Sequence, residues 1–133
     1  MQGFDKDRIS LQLKRLFQNT SLGAGWIAFS GNRPIGYLLA VYVFSLEHSG
    51  ITAEIDEFFV LSSHRGTGVG AGLLAAAESQ FAQVGCLNVS LQLGRENEAA
   101  RDFYHRHGYK HRSGYTLLEK NLAADTPTDR TTT

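Results

Sequence analysis

The spacing of hydrophobic residues changes several times along the first half of the chain, and each change predicts a new element. Leu13, Leu16 and Phe17 share one helical face, which predicts a short helix over 9–17 with Asp7 as its cap. Runs of β-branched and aromatic residues then predict three strands, over 26–29, 35–46 and 51–61. Short turn sequences separate these strands, so we expect the first two to form an antiparallel hairpin.

Helical and strand patterns alternate in the second half of the chain. A long helix is predicted from Gly68 or Val69 to about Val84, where Gly85 ends it. The later predicted elements are a strand over 87–93, a helix over 97–107 and a last strand over 115–122. This order predicts an α/β fold with a mixed sheet, in which antiparallel hairpins come first and a strand–helix–strand crossover follows.

Composition narrows the classes of protein. The length of 133 residues suits one domain, which we place at 1–122, and the polar tail at 123–133 is predicted to be disordered. Thirteen basic and thirteen acidic residues cancel, which argues against binding to nucleic acid or to an anionic membrane. The chain has no apolar run of membrane-spanning length, no signal-peptide pattern and a single cysteine, so we expect a cytoplasmic protein.

A glycine-rich turn, Arg65-Gly66-Thr67-Gly68-Val69-Gly70, lies between the third predicted strand and the long helix. Glycines allow backbone N–H groups to approach a ligand closely, and a helix N-terminus adds unpaired donors and partial positive charge. Together these features predict a pyrophosphate cradle, to which Arg65 adds a charged contact. The dinucleotide fingerprint fails because Ala71 replaces its third glycine, and the mononucleotide loop fails because it lacks a lysine.

The spacing of Arg65, Gly68 and Gly70 resembles the acetyl-CoA motif of the GNAT superfamily of N-acetyltransferases. The resemblance covers about 51–122 and implies a mostly antiparallel, twisted mixed sheet with flanking helices. It also implies that backbone groups near Phe59 and Val60 pair with the pantetheine arm. The residues implied to hold the pyrophosphate are Arg65, Gly66, Thr67, Gly68, Val69, Gly70 and Ala71. The alternative is a tight strand–helix turn without a ligand.

A second group of residues lies on the helix from Asn97. Asn97 and Tyr104 share one helical face, although Asn97 alone could be an N-cap and Tyr104 alone a core aromatic. The segment is similar to the GNAT pattern at Asn97, Phe103-Tyr104 and Gly108-Tyr109. The resemblance implies that Asn97 bonds the CoA arm and that the Tyr104 phenol gives a proton to the leaving thiolate.

Three acidic residues, Glu54, Asp56 and Glu57, lie in the third predicted strand. Strict alternation places Glu57 on one face with Ala53, Ile55, Phe59 and Leu61, where desolvation suits a catalytic base. A bulge, which GNAT proteins have in this strand, would shift the faces. Glu57 is therefore the first candidate for the base and Asp56 the second, and the alternative is that these carboxylates are solvated or ion-paired.

These features predict an enzyme that transfers acetyl from acetyl-CoA to a primary amine of a small molecule or peptide, by direct attack in a ternary complex. The acids favour a cationic substrate. The alternative function is a CoA-binding sensor or interaction module without catalysis. No metal is expected, because the histidines do not form an i, i+4 pair on a helix.

The N-terminal region departs from the GNAT pattern. GNAT proteins usually begin with a strand and a longer helical region, whereas few residues precede the predicted strand at Trp26. The resemblance therefore implies a first strand that is shortened or missing. A homodimer, in which a partner subunit completes the substrate pocket, is a hypothesis on that ground.

Overall fold

A computed structural model describes residues 6–123, which divide into two compact units at Gln92/Leu93. The predicted disordered tail, apart from Ala123, lies outside the described residues. The first unit contains α1 (Lys6–Gln18), β1 (Gly23–Ser30), β2 (Arg33–Ser45), β3 (Gly50–Val60), a 3₁₀ turn (Ser62–His64), α2 (Val69–Val84) and β4 (Val89–Ser90). The second unit contains α3 (Glu98–Arg106).

The sheet of the first unit has the order β1-β2-β3-β4. Both hairpins are antiparallel, whereas β3 and β4 run parallel and pair only at Ala53–Val89 and Glu54–Ser90. The helix α2 provides the crossover between these parallel strands. The predicted α/β fold with a mixed, mostly antiparallel sheet is confirmed.

The hydrophobic core lies between α2 and one face of the sheet, which we call the covered face and define by Trp26, Leu38, Ala40, Tyr42, Ala53 and Ile55. The helix contributes a stripe of buried residues at helical spacing, namely Leu73, Leu74, Ala77 and Phe81. The Phe81 ring meets the rings of Trp26 and Tyr42 edge-on, at centroid distances of 5.6 and 6.3 Å. Gly36 allows α2 to approach, because a Cβ there would lie 3.3 Å from Leu73 Cδ1 and 2.9 Å from the Phe59 carbonyl oxygen.

The opposite face, which we call the outer face, is defined by Gly25, Ile27, Tyr37, Leu39, Glu57 and Phe59. The helix α1 approaches this face at Gly25 and at its neighbour Gly23, where Leu16 Cδ1 lies 2.9 Å from where a Cβ would be. Phe17 Cε1 lies 3.2 Å from where a Cβ of Gly25 would be. Ile27 and Phe59 remain 60% and 41% exposed, so part of this face is apolar and accessible.

Several predicted bounds differ from the structure. The predicted cap is wrong, since α1 already begins at Lys6 and Asp7 lies in its first turn. The predicted strand over 115–122 is also wrong: these residues form no strand, and Leu118 is 86% exposed. β4 is shorter than predicted because β3 pairs with it at only two positions. Apolar alternation thus indicated strands, but a strand forms only where a partner supplies hydrogen bonds.

Candidate active site

The glycine-rich loop ends on Gly68, which caps α2 in the left-handed conformation at φ 93°. The N-cap residue is a glycine, so it has no side chain of its own with which to cap the helix. The bond from Gly72 N to Gly68 O, at 3.0 Å, closes the first turn of the helix, so the N–H groups of Val69, Gly70 and Ala71 precede the helical hydrogen-bond series. Three N–H groups ahead of the helical series, together with the positive end of the helix dipole, are suited to an anion, and they lie where the sequence predicts the pyrophosphate cradle.

Arg65 is held against the end of β3. Its Nε donates to the Val60 carbonyl oxygen at 2.9 Å, and its guanidinium lies 5.7 Å from the centre of the Phe59 ring. Within the loop, the Thr67 hydroxyl donates to the His64 carbonyl oxygen. Arg65 thus adds a positive charge to the loop that precedes the three amides, which favours a phosphate ligand.

The second half of β3 has one open edge. β2 pairs with it up to Val60, but β4 leaves it after Glu54. Within the described residues, no strand therefore pairs with 55–60 on the β4 side. An extended ligand can add to such an edge as an extra strand, which is the interaction that the resemblance implies for the pantetheine arm near Phe59 and Val60.

A bulge in β3 decides which way Glu57 points. Leu39 pairs with Glu57 and Ala40 pairs with Ile55, so Asp56 is an extra residue without a partner. Paired residues share a face in an antiparallel sheet, and Leu39 and Ala40 lie on opposite faces. Glu57 therefore lies on the face opposite Ile55, and its predicted place beside Ala53 and Ile55 is wrong.

The bulge also changes the surroundings of Glu57. The residue shares the outer face with Phe59, as predicted, and with Glu54, which was predicted to lie opposite. Glu57 and Asp56 are exposed, so the expected desolvation of Glu57 is not found. Its carboxylate is positioned by a hydrogen bond instead.

That hydrogen bond comes from Tyr37, whose hydroxyl donates to Glu57 Oε1 at 2.9 Å. The Tyr37 ring lies 6.0 Å from the Phe59 ring, centre to centre. Burial first, and then the hydrogen bond and the negative charge of Glu57, raise the pKa of Tyr37 to about 12. The hydroxyl therefore remains a donor at neutral pH.

Sequence reasoning missed Tyr37, because it lies within the long apolar run of β2 and looked like a core aromatic. The only sequence signal was a hydroxyl within that run. Its partner is 20 positions away and could be found only from the β2–β3 register.

Asn97 and Tyr104 lie in the second unit. Asn97 is the N-cap of α3, and its Oδ1 accepts from Ala100 N at 3.2 Å. The carboxamide oxygen thus belongs to the helix, which leaves the amide nitrogen as the group that can donate to a ligand. Both features that the sequence suggested for Asn97, a cap and a ligand contact, are compatible with this arrangement.

Tyr104 is buried, and its ring packs edge-on against Phe103 at 5.3 Å and Tyr109 at 5.4 Å. Gly108, at φ 92°, turns the chain after α3, and Tyr109 N bonds back to Tyr104 O at 3.0 Å. Burial raises the pKa of Tyr104 to about 12. The phenol therefore keeps its proton well above neutral pH.

Neither a group of metal-binding side chains nor a membrane-spanning helix is found in the part of the chain that the structure describes. Over 6–123, no three His, Cys, Asp or Glu side chains are grouped so that they could hold a metal ion. No helix in the same range has the length and apolar character needed to cross a membrane.

The sequence model of the Acetyltransferase (GNAT) family matches residues 3–109. The chain belongs to the GNAT family. This confirms the resemblance that the glycine-rich loop and the α3 segment indicated, and it places both segments within the family's matched region.

Individual GNAT relatives agree with this assignment. The aminoalkylphosphonate N-acetyltransferase of Salmonella typhimurium is 33% identical over 84 residues, which are 63% of this chain and 54% of that protein. The chain thus spans about half the length of this relative.

Solved structures show the same fold. An integron cassette protein from the mobile metagenome of Cole Harbour Salt Marsh is 28% identical, with a TM-score of 0.77 over 90% of this chain and 72% of that one. The N-acetyltransferase AAC(6')-Iy, in complex with the bisubstrate analog CoA-S-monomethyl-acetylneamine, is 22% identical to this chain. Its TM-score is 0.78, and the match covers 90% of this chain and 83% of that one.

Proposed function

We propose that this GNAT protein is an N-acetyltransferase that moves acetyl from acetyl-CoA to a primary amine. The observation that carries the proposal is the start of α2, where the amides of Val69, Gly70 and Ala71 follow a glycine N-cap in the same loop as Arg65. This combination suits the pyrophosphate of CoA. AAC(6')-Iy, a GNAT acetyltransferase of the same fold, binds an analog that contains CoA.

The pantetheine arm is proposed to lie along the open edge of β3. An extended chain there pairs with backbone groups near Phe59 and Val60 and runs from the loop toward the bulge at Asp56. Asn97 is proposed to donate its amide hydrogens to the same arm. The acetyl group then reaches the part of β3 that carries Glu57.

The chemical step is direct attack in a ternary complex. Glu57 takes a proton from the ammonium group, and the neutral amine attacks the thioester carbonyl carbon. Backbone N–H groups stabilise the tetrahedral oxyanion until the carbonyl re-forms and the C–S bond breaks. Tyr104 supplies a proton to the thiolate, and the second proton lost by the nitrogen restores the phenol. Because the pKa of Tyr104 is raised to about 12, its main contribution is a hydrogen bond to the developing charge rather than strong acidity. Asp56 is the alternative base.

The acceptor is proposed to be a small, cationic amine, although a peptide amine remains within the proposal. Glu54 and Glu57 lie on the outer face and Asp56 in the bulge between them, so this end of β3 attracts positive charge. The names of two relatives support the small amine, since an aminoalkylphosphonate and an aminoglycoside-derived group are both small amine compounds. We also propose a homodimer that completes the substrate pocket, and sedimentation that shows only monomer at working concentration would contradict it.

The cofactor site can be tested with two matched glycine variants of α2. Gly68 and Gly85 cap opposite ends of the helix at φ 93° and 99°, and a Cβ at either position meets open space. Alanine at either position therefore introduces the same left-handed strain, roughly 1–2 kcal/mol. Only Gly68→Ala redirects the amides of the anion-binding position.

Isothermal titration of acetyl-CoA measures the difference. We expect Gly68→Ala to raise the Kd by about tenfold or more, and Gly85→Ala to bind like the wild type. Equal binding by both variants would place the cofactor elsewhere. A wild-type protein that binds acetyl-CoA but acetylates no amine in a panel would be a CoA-binding module rather than an enzyme.

A further inference from the structure

Three apolar residues form a row across the outer face. Ile27, Tyr37 and Phe59 are consecutive partners on β1, β2 and β3. The two end residues are exposed, as noted above, and α1 approaches the neighbouring position, Gly25, through Phe17. An exposed apolar row beside a carboxylate is typical of a binding surface rather than of a plain solvent face.

Opposite charges lie near two residues of the row, Phe59 and Tyr37. The guanidinium of Arg65 lies 5.7 Å from the centre of the Phe59 ring, and its Nε donates to the Val60 carbonyl oxygen. The Tyr37 ring lies 6.0 Å from the Phe59 ring, and its hydroxyl donates to Glu57 Oε1. Positive charge thus lies toward the phosphate loop and negative charge toward the bulge, so a bound ammonium group is directed to the Tyr37–Glu57 side.

We propose that Tyr37 is a positioning and specificity-determining residue, which fixes the Glu57 carboxylate and, with Phe59, receives the carbon skeleton of an alkylammonium acceptor. This inference rests on the proposed acetyltransferase function. The Tyr37 bond occupies Oε1 and leaves Oε2 for the ammonium proton. One ammonium proton passes to Oε2, and the freed nitrogen lone pair forms the C–N bond at the thioester carbonyl carbon. The C–S electrons leave with the thiolate, which is protonated as the nitrogen loses its second proton.

Two physical effects make this arrangement useful. An exposed glutamate has several rotamers, and fixing it costs conformational entropy that the Tyr37 hydrogen bond has already offset before substrate binds. An ammonium group close to the faces of Tyr37 and Phe59 also gains a cation–π attraction. Neutral, less polar amines gain only the contact with the apolar row.

The test is a double-mutant cycle with the variants Tyr37→Phe, Glu57→Gln and the two combined. Phenylalanine keeps the ring and removes only the hydroxyl. Tyr42→Phe is the matched control, because Tyr42 lies on the same strand but on the covered face against Phe81. The readouts are the acetyl-CoA Kd by titration, and kcat and KM by release of the CoA thiol with a panel of cationic and neutral amines.

We expect Tyr37→Phe to keep the acetyl-CoA Kd within about twofold of the wild type and to lower kcat by about tenfold. When Tyr37→Phe is added to Glu57→Gln, kcat should not fall further, because no carboxylate is left to position. Tyr37→Leu, which also removes the ring, should in addition raise KM for cationic amines more than for neutral ones. Tyr42→Phe should match the wild type throughout.

The outcomes separate the two hypotheses. A wild-type protein that transfers acetyl to none of the amines overturns both the proposed function and this inference. If the wild type is active, a Tyr37→Phe variant that behaves like Tyr42→Phe overturns only the role of Tyr37. Losses that multiply in the double variant would also overturn it, because they would show that Tyr37 acts independently of Glu57.

Discussion

The hydroxyl of Tyr37 donates a 2.9 Å hydrogen bond to Glu57 Oε1 across the β2–β3 pair. Asp56, the extra residue of the β3 bulge, makes this contact possible because it turns Glu57 to the outer face. A single bulge thus moves the candidate base from the helix-covered core to an accessible surface. It also places the base beside the strand edge that is open to an extended ligand.

The two candidate bases can be separated by conservative amide substitutions. We expect Glu57→Gln to lower kcat/KM for the amine by about 100-fold, in the range typical of a lost general base. Asp56→Asn, at the exposed bulge position next to it, should change kcat/KM by less than about threefold. Steady-state thiol release measures both, and a larger loss in Asp56→Asn would make Asp56 the base.

Substitutions at Asn97 can separate its role as a helix cap from its proposed contact with acetyl-CoA. Serine can replace the cap acceptor, whereas alanine cannot, so only Asn97→Ala should lose about 1 kcal/mol of unfolding free energy. Both variants lack the amide donor, so both should weaken acetyl-CoA binding. Urea unfolding and titration of acetyl-CoA measure the two effects. Wild-type affinity in Asn97→Ser would limit Asn97 to its role as the cap of α3.

Alkaline pH should destabilise the protein through its tyrosines. Burial favours the neutral phenol and raises the pKa of Tyr37 and Tyr104 to about 12. An unfolded tyrosine ionises near pH ~10, so this stabilisation is complete below about pH 10 and is lost as the pH rises to about 12.

Urea unfolding midpoints at about pH 8, 10 and 11.5 measure the loss of stability. The Tyr104→Phe variant should lose less stability over this range than the wild type. Tyr115→Phe serves as the control, because Tyr115 is 69% exposed. An equal decline in the wild type and in Tyr104→Phe would contradict the expectation.

Two glycines test how closely α2 packs on the sheet. A Cβ at Gly36 would lie 2.9 Å from a backbone carbonyl oxygen, and one at Gly72 would meet open space. Gly36→Ala should therefore destabilise the protein by roughly 1–3 kcal/mol. Gly72→Ala, inside α2, should stabilise it by roughly 0.5–1 kcal/mol. Urea unfolding checks both, and a neutral Gly36→Ala would mean that α2 shifts away at little cost.

Elements whose ends are set by neighbouring residues were predicted correctly from the sequence. Both ends of α2 were predicted correctly, because Gly68 and Gly85 supply the left-handed caps themselves. The predicted pyrophosphate cradle rests on the same local features, since the helix start and the glycine-rich turn are neighbours in the chain. The family model matches the region in which these signals lie.

Features that depend on strand pairing were predicted less well. Alternation assigned Glu57 to the wrong face, because the bulge exists only in the pairing of β3 with β2. The strand expected over 115–122 has the right composition but forms no ladder. Tyr37 was missed because its partner is 20 residues away.

The sequence by itself therefore determined the α/β class, the helix α2 and the glycine-rich loop before it, along with the acidic residues in the middle of β3. The reason is that caps, turns and helical faces are formed by residues a few positions apart. Only the tertiary structure decided the face of Glu57, its contact with Tyr37 and the open edge of β3. All three depend on the register of β2 with β3 and on the position at which β4 stops pairing with β3. Both are set by hydrogen bonds between segments that are distant in the sequence.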